Sequence, residues 1–191
     1  MTESNWGEYH EIKKEAPPSS QLIAALEHVK NKGTALDLGA GALADSKYLL
    51  KEGFEVTAID NAESSSKLAQ EVGNQQFTFI QTNFDQFNYP VEAYDLVNAS
   101  LSLPFNPPET FNDVFAKVKK SLKPGGILVC QLFGTNHSWT RIKNRTFHTM
   151  DEVKALLNDM KIIRLNEKEF DANSTRGFPE HFHNFYIIAE K

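Results

Sequence analysis

The sequence is poor in cysteine and has no excess of positive charge. Its single cysteine, Cys130, cannot form a disulfide within the 191-residue chain, so the fold must depend on an apolar core instead of covalent cross-links. The 20 basic residues are outnumbered by 25 acidic ones, which gives a net charge of −5. This balance argues against a nucleic-acid partner and favours a small neutral or cationic one.

Long hydrophobic runs are also absent. No segment approaches the length of a membrane span, and the N-terminal MTESNWGEYHEIKKE has no apolar stretch that would serve as a signal peptide. We therefore expect a cytoplasmic protein with no membrane partner. The length predicts a single domain over residues 1–191, with residues 1–18 as an N-terminal arm or lid. The oligomeric state stays open between monomer and homodimer.

What the sequence does contain is an alternation of strand-like and helix-like segments. The predicted strands are TALDL, FEVTAI, FTFIQT, YDLVNAS and ILVCQLF, and the predicted helices lie in PPSSQLIAALEHVKNKG, residues 44–52, AESSSKLAQEV, residues 108–122 and TMDEVKALLNDM. Thr149 and Glu152 have the spacing of a capping box at the start of the last helix. Because parallel strands need crossover connections, this order predicts a parallel sheet with helices on both faces.

The last two predicted strands, IIRLNEKEF and HNFYIIAE, have no helix between them. A loop of about eleven residues joins them, so we expect them to pair antiparallel at one edge of the sheet. The fold class is therefore α/β: a Rossmann-like, doubly wound, mostly parallel seven-stranded sheet with an antiparallel C-terminal strand pair.

A glycine turn follows the first strand, in DLGAGALADS. Gly39 and Gly41 allow a sharp turn and a close approach to a ligand, and the helix that follows offers free N–H groups to an anionic moiety. Asp60 ends the second strand about twenty residues later, the usual place for an acid that accepts the hydroxyls of a ribose. The turn and Asp60 together predict a nucleotide-type cofactor, and a purely structural turn is the alternative.

Three features distinguish between cofactors. Asp37 makes the turn D-x-G-x-G, LKPGGILV places a tight turn before the fifth strand, and a strand pair closes the chain. In these features the sequence resembles the class I S-adenosylmethionine-dependent methyltransferases, and among them the small bacterial type that includes the tellurite-resistance methyltransferases. The matching segments are ALDLGAG, VTAID, DLVNASLSLPF, LKPGGILVCQLFG, FHTMDEVKALL and HFHNFYIIAEK.

The resemblance implies a role for each matching position. The methionine end of S-adenosylmethionine would lie in a cradle, the ribose would be held by an acid and its neighbour, and the adenine would lie past the third strand. Asn83 replaces the family's usual acid there, and its side-chain oxygen can still accept a hydrogen bond. The residues implied are Asp37, Gly39, Ala40 and Gly41 for the cradle, Asp60 and Asn61 for the ribose, Asn83 and Phe84 for the adenine, and Asn98, Ala99 and Ser100 facing the methyl group.

Leu43 stands where the family commonly has a third glycine. A leucine disfavours a positive φ and adds a side chain near the ligand. Either the turn keeps its path with Leu43 packed under the helix, or the side chain partly fills the cofactor pocket.

The resemblance implies a methyl transfer to a small-molecule acceptor that yields S-adenosylhomocysteine. The reaction needs little beyond positioning, so we name no catalytic residue. Candidate acceptor-binding residues are Trp6, Tyr9, Phe105, Trp139, Arg141 and His148, together with the segment STRGFPEHFH. His181 and His183 lack a third clustered ligand, so we expect no metal. The alternatives are an NAD(P)-dependent oxidoreductase and a non-catalytic cofactor-binding protein with a degenerate glycine loop.

Overall fold

One mixed β-sheet runs through the molecule. The computed structural model describes residues 3–175 and 177–191, with side chains from residue 6 onward. The sheet has the order β3-β2-β1-β4-β5-β8-β7. The first five strands in this order pair parallel, and β8 pairs antiparallel with both β5 and β7. A two-residue strand, β6, pairs with β5. The strands are β1 Thr34–Leu38, β2 Glu55–Asp60, β3 Phe77–Gln81, β4 Tyr94–Ala99, β5 Leu122–Gly134, β6 Phe147–His148, β7 Lys161–Asn173 and β8 Pro179–Glu190.

Six α-helices are described with this sheet. They are α1 Glu3–Lys13, α2 Ser20–Leu26, α3 Ala44–Lys51, α4 Glu63–Ala69, α5 Pro108–Ser121 and α6 Met150–Leu156. The capping box predicted at α6 is present, because the Thr149 hydroxyl accepts a hydrogen bond from the Glu152 amide and the Glu152 carboxylate accepts one from the Thr149 amide. None of the helices in the described ranges is both long and apolar enough to cross a membrane.

The core lies on both faces of the sheet, as the alternation predicts. Phe111 and Phe115 of α5 pack with strand residues on one face, and Leu22 and Leu49, from α2 and α3, pack with others on the opposite face. Fully burying one such side chain contributes about 1.5–3 kcal/mol. Both layers together hold the carboxyl ends of β1, β2 and β4 at one edge of the sheet.

Several boundaries differ from the sequence-based predictions. The N-terminal arm contains the helix α1, and the helix predicted up to Gly33 ends at Leu26. The strand pairing to β4 begins at Leu122, before KPGG, because the register shifts and Gly125 takes a φ of +78° there. The predicted boundaries depend on local sequence signals, and the pairing register with a neighbouring strand overrides such signals.

The C-terminal hairpin is longer than predicted. Its strands pair from Lys161 with Glu190 to Asn173 with Pro179, so only residues 174–178 connect them. Half of the segment STRGFPEHFH, residues 179–183, is therefore strand and not loop. Most side chains of β7 are exposed, because an edge strand buries little surface on either face. Its sequence therefore lacks a clear alternation of apolar and polar residues, and the full length of the strand could not be predicted from it.

Candidate functional site

The glycine turn between β1 and α3 is tied to the end of β2. Gly39 and Gly41 have φ values of +77° and +51°, and the Gly39 amide donates to the Ile59 carbonyl at 2.8 Å. The Asp60 carboxylate accepts from the Gly41 amide at 2.9 Å and from the Ala62 amide at 2.8 Å. Asp60 therefore fixes the turn as well as its own loop.

Other loops approach both glycines closely. A β-carbon on Gly39 would lie 2.4 Å from Cβ of Ser102, and one on Gly41 would lie 3.3 Å from Nε2 of His10. The Ser102 hydroxyl is buried and has no hydrogen-bond partner within the described structure. An unsatisfied hydroxyl beside a positive-φ glycine turn fits a polar ligand at this point, as the methionine end of the cofactor would be.

Leu43 keeps the turn's path at a conformational cost. Its φ is +65°, in the left-handed region that glycine adopts readily, and its side chain is fully buried in a cluster with Ala58 and Leu68. The side chain thus packs beneath the turn. The structure agrees with the first of the two possibilities for Leu43.

A buried polar network lies behind the turn. The Asn98 side-chain amide donates to both Asp37 and Asp45 at 2.9 Å, and the Ser46 hydroxyl donates to Asp37. Asp45 also accepts from the Ser19 amide at 2.7 Å. Two carboxyl groups therefore share one amide donor at the carboxyl ends of β1 and β4.

Burial makes ionisation of this carboxyl pair unfavourable. Desolvation first, and then the nearby charge of Asp45, raise the pKa of Asp37 to about 7. The pKa of Asp45 is also raised by burial, against hydrogen bonds from Ser19 and Asn98 that lower it. Burial therefore favours the protonated form of Asp37 well above the pH at which an exposed aspartate ionises.

The remaining predicted cofactor residues lie along the same edge. Asn61 donates to the Asn83 side-chain oxygen at 2.9 Å, so the positions proposed for ribose and adenine are adjacent. Phe84 is half-buried against the core and approaches Gly39. Ala40 and Ala99 are buried, and the Ser100 hydroxyl donates to the Asn98 oxygen at 2.7 Å.

Four of the six predicted acceptor-binding residues form one aromatic cluster. Trp6 lies 5.3 Å from Phe105 and 6.0 Å from Tyr9, and Phe105 lies 6.2 Å from Trp139, measured between ring centroids. Phe182, from the segment predicted as a loop, contacts Trp139 at 6.4 Å. The cluster stands beside the loop after β4.

Arg141 and His148 do not join this cluster. The Arg141 side chain is 75% exposed and lies 4.0 Å from the Glu180 carboxylate. His148 packs 4.6 Å from Phe111 of α5, and burial lowers its pKa. Both face other parts of the molecule.

Five residues of the site were missed by the sequence analysis. Asp45 was detectable in principle, because an acid in the first turn after a glycine loop faces the same edge. The others depend on contacts between distant segments that have no local signal. They are His10 on Gly41, Ser102 on Gly39, and His137 and Arg145 around Trp139.

One group of possible metal ligands lies on the C-terminal hairpin. Glu167, Glu169 and His183 are close together, but Nδ1 of His183 accepts from the Asn136 amide at 3.1 Å and Nε2 donates to Glu167 at 2.9 Å. Both ring nitrogens are thus already engaged. The expectation of no metal stays a prediction.

Comparison with solved structures shows the fold. TehB from Haemophilus influenzae superimposes with a TM-score of 0.78 at 18% identity, over 91% of this chain and 62% of that one. A Burkholderia thailandensis 1,6-didemethyltoxoflavin-N1-methyltransferase with bound 1,6-didemethyltoxoflavin and S-adenosylhomocysteine superimposes with a TM-score of 0.71 at 18% identity, over 98% and 84% of the two chains.

Sequence comparison adds the family. A carboxy-S-adenosyl-L-methionine synthase from Shewanella baltica is 34% identical over 97 residues, which are 48% of this chain and 39% of that protein. This chain therefore matches about two fifths of the length of that curated relative. The methyltransferase domain family matches residues 36–130, from within β1 through β4 and into β5. Residues 36–130 of this chain thus belong to the methyltransferase domain family, and the chain has the Rossmann-like methyltransferase fold.

Proposed function

We propose that this protein transfers a methyl group from S-adenosylmethionine to a small-molecule acceptor. The observation that carries the proposal is the pairing of Asp60 with the glycine turn. Its carboxylate anchors the Gly41 amide at 2.9 Å and stands at the carboxyl end of β2, beside Asn61 and Asn83. Ligands of open α/β sheets bind at this edge.

The residues around the turn suit the parts of the cofactor. A carboxylate has about four lone-pair sites, so Asp60 can accept from ribose hydroxyls in addition to its two backbone donors. The adjacent amides of Asn61 and Asn83 suit the adenine. The acidic pair Asp37 and Asp45 and the free Ser102 hydroxyl suit the amino and carboxylate groups of the methionine end.

The bound cofactor would supply an electrophilic methyl group on a sulfonium, which is displaced in line by the acceptor. The protein's part is to hold the acceptor in line and to exclude water. The cluster of Trp6, Phe105 and Trp139 supplies apolar walls for this purpose. No residue in the cluster is required to act as a base unless the acceptor must lose a proton.

We propose that residues 1–18 act as a lid. His10, in α1, is buried against Gly41 and hydrogen-bonded to the Ser64 hydroxyl at 2.8 Å, so α1 bridges the loops after β1 and β2. Trp6, on the same helix, reaches Phe105. A helix in contact with both halves of the site is positioned to cover a bound cofactor.

A cytoplasmic location and the lack of a nucleic-acid partner also stay predictions.

Calorimetric titration with S-adenosylmethionine, S-adenosylhomocysteine and NADH tests the function. We expect micromolar binding of the two sulfur compounds and none of NADH. Asp60→Ala removes charge-assisted hydrogen bonds, each worth about 1.5–3 kcal/mol, so it should weaken binding about 100-fold or more. Asp113→Ala is the matched control, because Asp113 is exposed on α5.

The outcomes separate the alternatives. Binding of NADH alone would reinstate a nicotinamide-dependent oxidoreductase. Binding of no nucleotide to a folded wild-type protein would support a non-catalytic protein. Thermal denaturation of Asp60→Ala shows whether the variant is folded, since Asp60 also anchors the turn.

A further inference from the structure

Arg145 is a buried cation that has no anionic partner among the described residues. It is 8% exposed, and its Nε has no hydrogen-bond partner within the described structure. Burial alone accounts for its lowered pKa, with no contribution from an acid. Of the other described arginines, Arg141 and Arg164 are exposed. A buried guanidinium is usually paired, because removing its charge from water costs much free energy.

Aromatic rings take the place of a counter-ion around Arg145. The guanidinium carbon lies 4.6 Å from the centroid of Phe105 and 5.3 Å from that of Trp139. Such cation–π contacts offset only part of the desolvation cost, and they leave the in-plane N–H donors of the guanidinium free. An anion is therefore the missing component.

The backbone on either side of Arg145 is fastened. Asn144 adopts a φ of +61°, and the Thr146 amide and hydroxyl donate to the carbonyls of Pro104 and Asn106 at 3.0 and 2.7 Å. Phe147 then pairs with β5. The fold therefore fixes the backbone of Arg145 beside the loop after β4.

A second unpaired donor lies against the same indole. Nδ1 of His137 accepts from the Trp139 amide at 3.2 Å, so the proton of the neutral ring is on Nε2. Nε2 is buried and has no hydrogen-bond partner among the residues that the structure describes. The ring centroids of His137 and Trp139 are 4.9 Å apart. Burial lowers the pKa of His137 to about 4, so the ring is a neutral N–H donor at pH 7.

This group is continuous with the cofactor region. Phe105 contacts Trp6, Trp6 stacks on His10 at 6.0 Å, and His10 lies against Gly41. The acidic residues Asp37, Asp45 and Asp60 are on the cofactor side. In the part of the chain that the structure describes, the site therefore has an acidic half that suits a sulfonium and a second half in which Arg145 is an unpaired cation.

Resting on the proposed function, we propose that the methyl acceptor is a planar, ring-bearing carboxylate whose carboxylate group is bound by Arg145. The planar guanidinium can donate two parallel hydrogen bonds to a carboxylate, and the neighbouring aromatic cluster of Trp6, Phe105 and Trp139 favours a flat ring on the acceptor. The carboxylate serves as the binding group that orients the acceptor. His137 donates one further hydrogen bond.

The test compares an acid with its isosteric neutral amide. Benzoate and benzamide are titrated into the protein saturated with S-adenosylhomocysteine, and Trp fluorescence is followed in a Trp6→Phe background, which leaves Trp139 as the one tryptophan. We expect benzoate to bind about tenfold or more tightly than benzamide. Arg145→Met should abolish that difference, and Arg145→Lys should keep part of it.

Several results would overturn the proposal. One is equal binding of benzoate and benzamide to wild type, or no binding of either. Another is a preference for benzoate that survives in Arg145→Met. A third is tighter binding of inorganic phosphate than of benzoate, which would indicate a tetrahedral anion. If Arg145 only packs on the rings, Arg145→Met changes stability and leaves the acid-to-amide ratio unchanged.

Failure of this proposal can be told apart from failure of the proposed function. Arg145 does not contact the glycine turn, so Arg145→Met should bind S-adenosylhomocysteine within about twofold of wild type. If wild type binds no S-adenosylhomocysteine, the methyltransferase proposal fails. The benzoate and benzamide titrations are then carried out without S-adenosylhomocysteine, and they still show whether Arg145 binds a carboxylate.

Discussion

Asp37, which we propose to hold the methionine end of the cofactor, lowers the stability of the folded protein at neutral pH. It is 2% exposed, shares the Asn98 amide with Asp45, and its pKa is raised to about 7. In the unfolded chain the same group has a pKa near 3.8. The folded protein therefore binds more protons than the unfolded chain between about pH 4 and pH 7, and its free energy of unfolding falls as the pH rises through this range.

Asp37→Asn should remove this contribution. An asparagine can accept from Asn98 and donate to the Ser46 hydroxyl, so the network is kept without the charge. Relative to wild type, the variant should gain stability between pH 5 and pH 7.5, by up to about 1.4 kcal/mol per pH unit. Urea unfolding at several pH values, with the exposed Asp113→Asn as control, measures this. A difference that does not change with pH would contradict it.

Leu43 has a strained backbone conformation, which the burial of its side chain offsets. A non-glycine residue in the left-handed region costs about 1–2 kcal/mol, whereas a buried leucine side chain stabilises a core by about 2–5 kcal/mol relative to alanine. The burial of Leu43 in its cluster with Ala58 and Leu68 therefore outweighs its φ of +65°. This explains how a leucine replaces the family's usual glycine without closing the turn.

Two variants at position 43 separate the cost of backbone strain from the gain of side-chain packing. Leu43→Ala and Leu43→Gly both lose the packing, but only glycine relieves the strain. Leu43→Gly should therefore be more stable than Leu43→Ala by about 1 kcal/mol, and both should be less stable than wild type. Urea denaturation gives the order. S-adenosylhomocysteine affinity should change less than about threefold, and a gain of tenfold or more in Leu43→Gly would show that Leu43 fills the pocket.

At the scale of elements, α1 depends on the loops that it covers. It has 11 residues, and isolated helices of that length are marginal in water. Trp6, Tyr9 and His10 recur at helical spacing and lie on the face that contacts the site. The predicted arm is a helix because tertiary contacts stabilise it, and its sequence has too little apolar periodicity to predict this.

His10→Ala should loosen α1. The variant loses the hydrogen bond to Ser64 and the ring contact with Gly41, so S-adenosylhomocysteine should dissociate about three to ten times faster. A stopped-flow chase measures the rate, and amide hydrogen exchange should rise in residues 3–13. Glu8→Ala, at an exposed position of the same helix, is the control. Equal dissociation rates in wild type and His10→Ala would rule out the lid.

The predicted elements differ in how well their positions could be foreseen. The parallel strands TALDL and YDLVNAS and the capped helix α6 follow from apolar runs and side-chain capping, which are local. The bounds of β5 and β7 were missed, since a neighbouring strand decides where pairing begins. Strand β6, of two residues, is too short to give any pattern.

At the scale of the whole molecule, total charge is a poor guide to the binding site. The net charge of −5 favours a neutral or cationic partner, whereas the acceptor proposed from Arg145, a buried cation with no counter-ion among the described residues, is an anion. Acidic side chains concentrate at the turn, whereas Arg145 lies against Phe105 and Trp139. A charge that is buried and unpaired acts on a ligand more strongly than many charges screened by solvent.

The sequence by itself determined the fold class, the strand pair that closes the sheet, the glycine turn and Asp60, because periodicity, turn chemistry and spacing are properties of short segments. Only the tertiary structure decided that His10 covers Gly41, that Asp37 and Asp45 share Asn98, and that Arg145 lies between Phe105 and Trp139. These contacts join residues far apart in the chain. Burial, on which their energies depend, exists only after the segments have packed together.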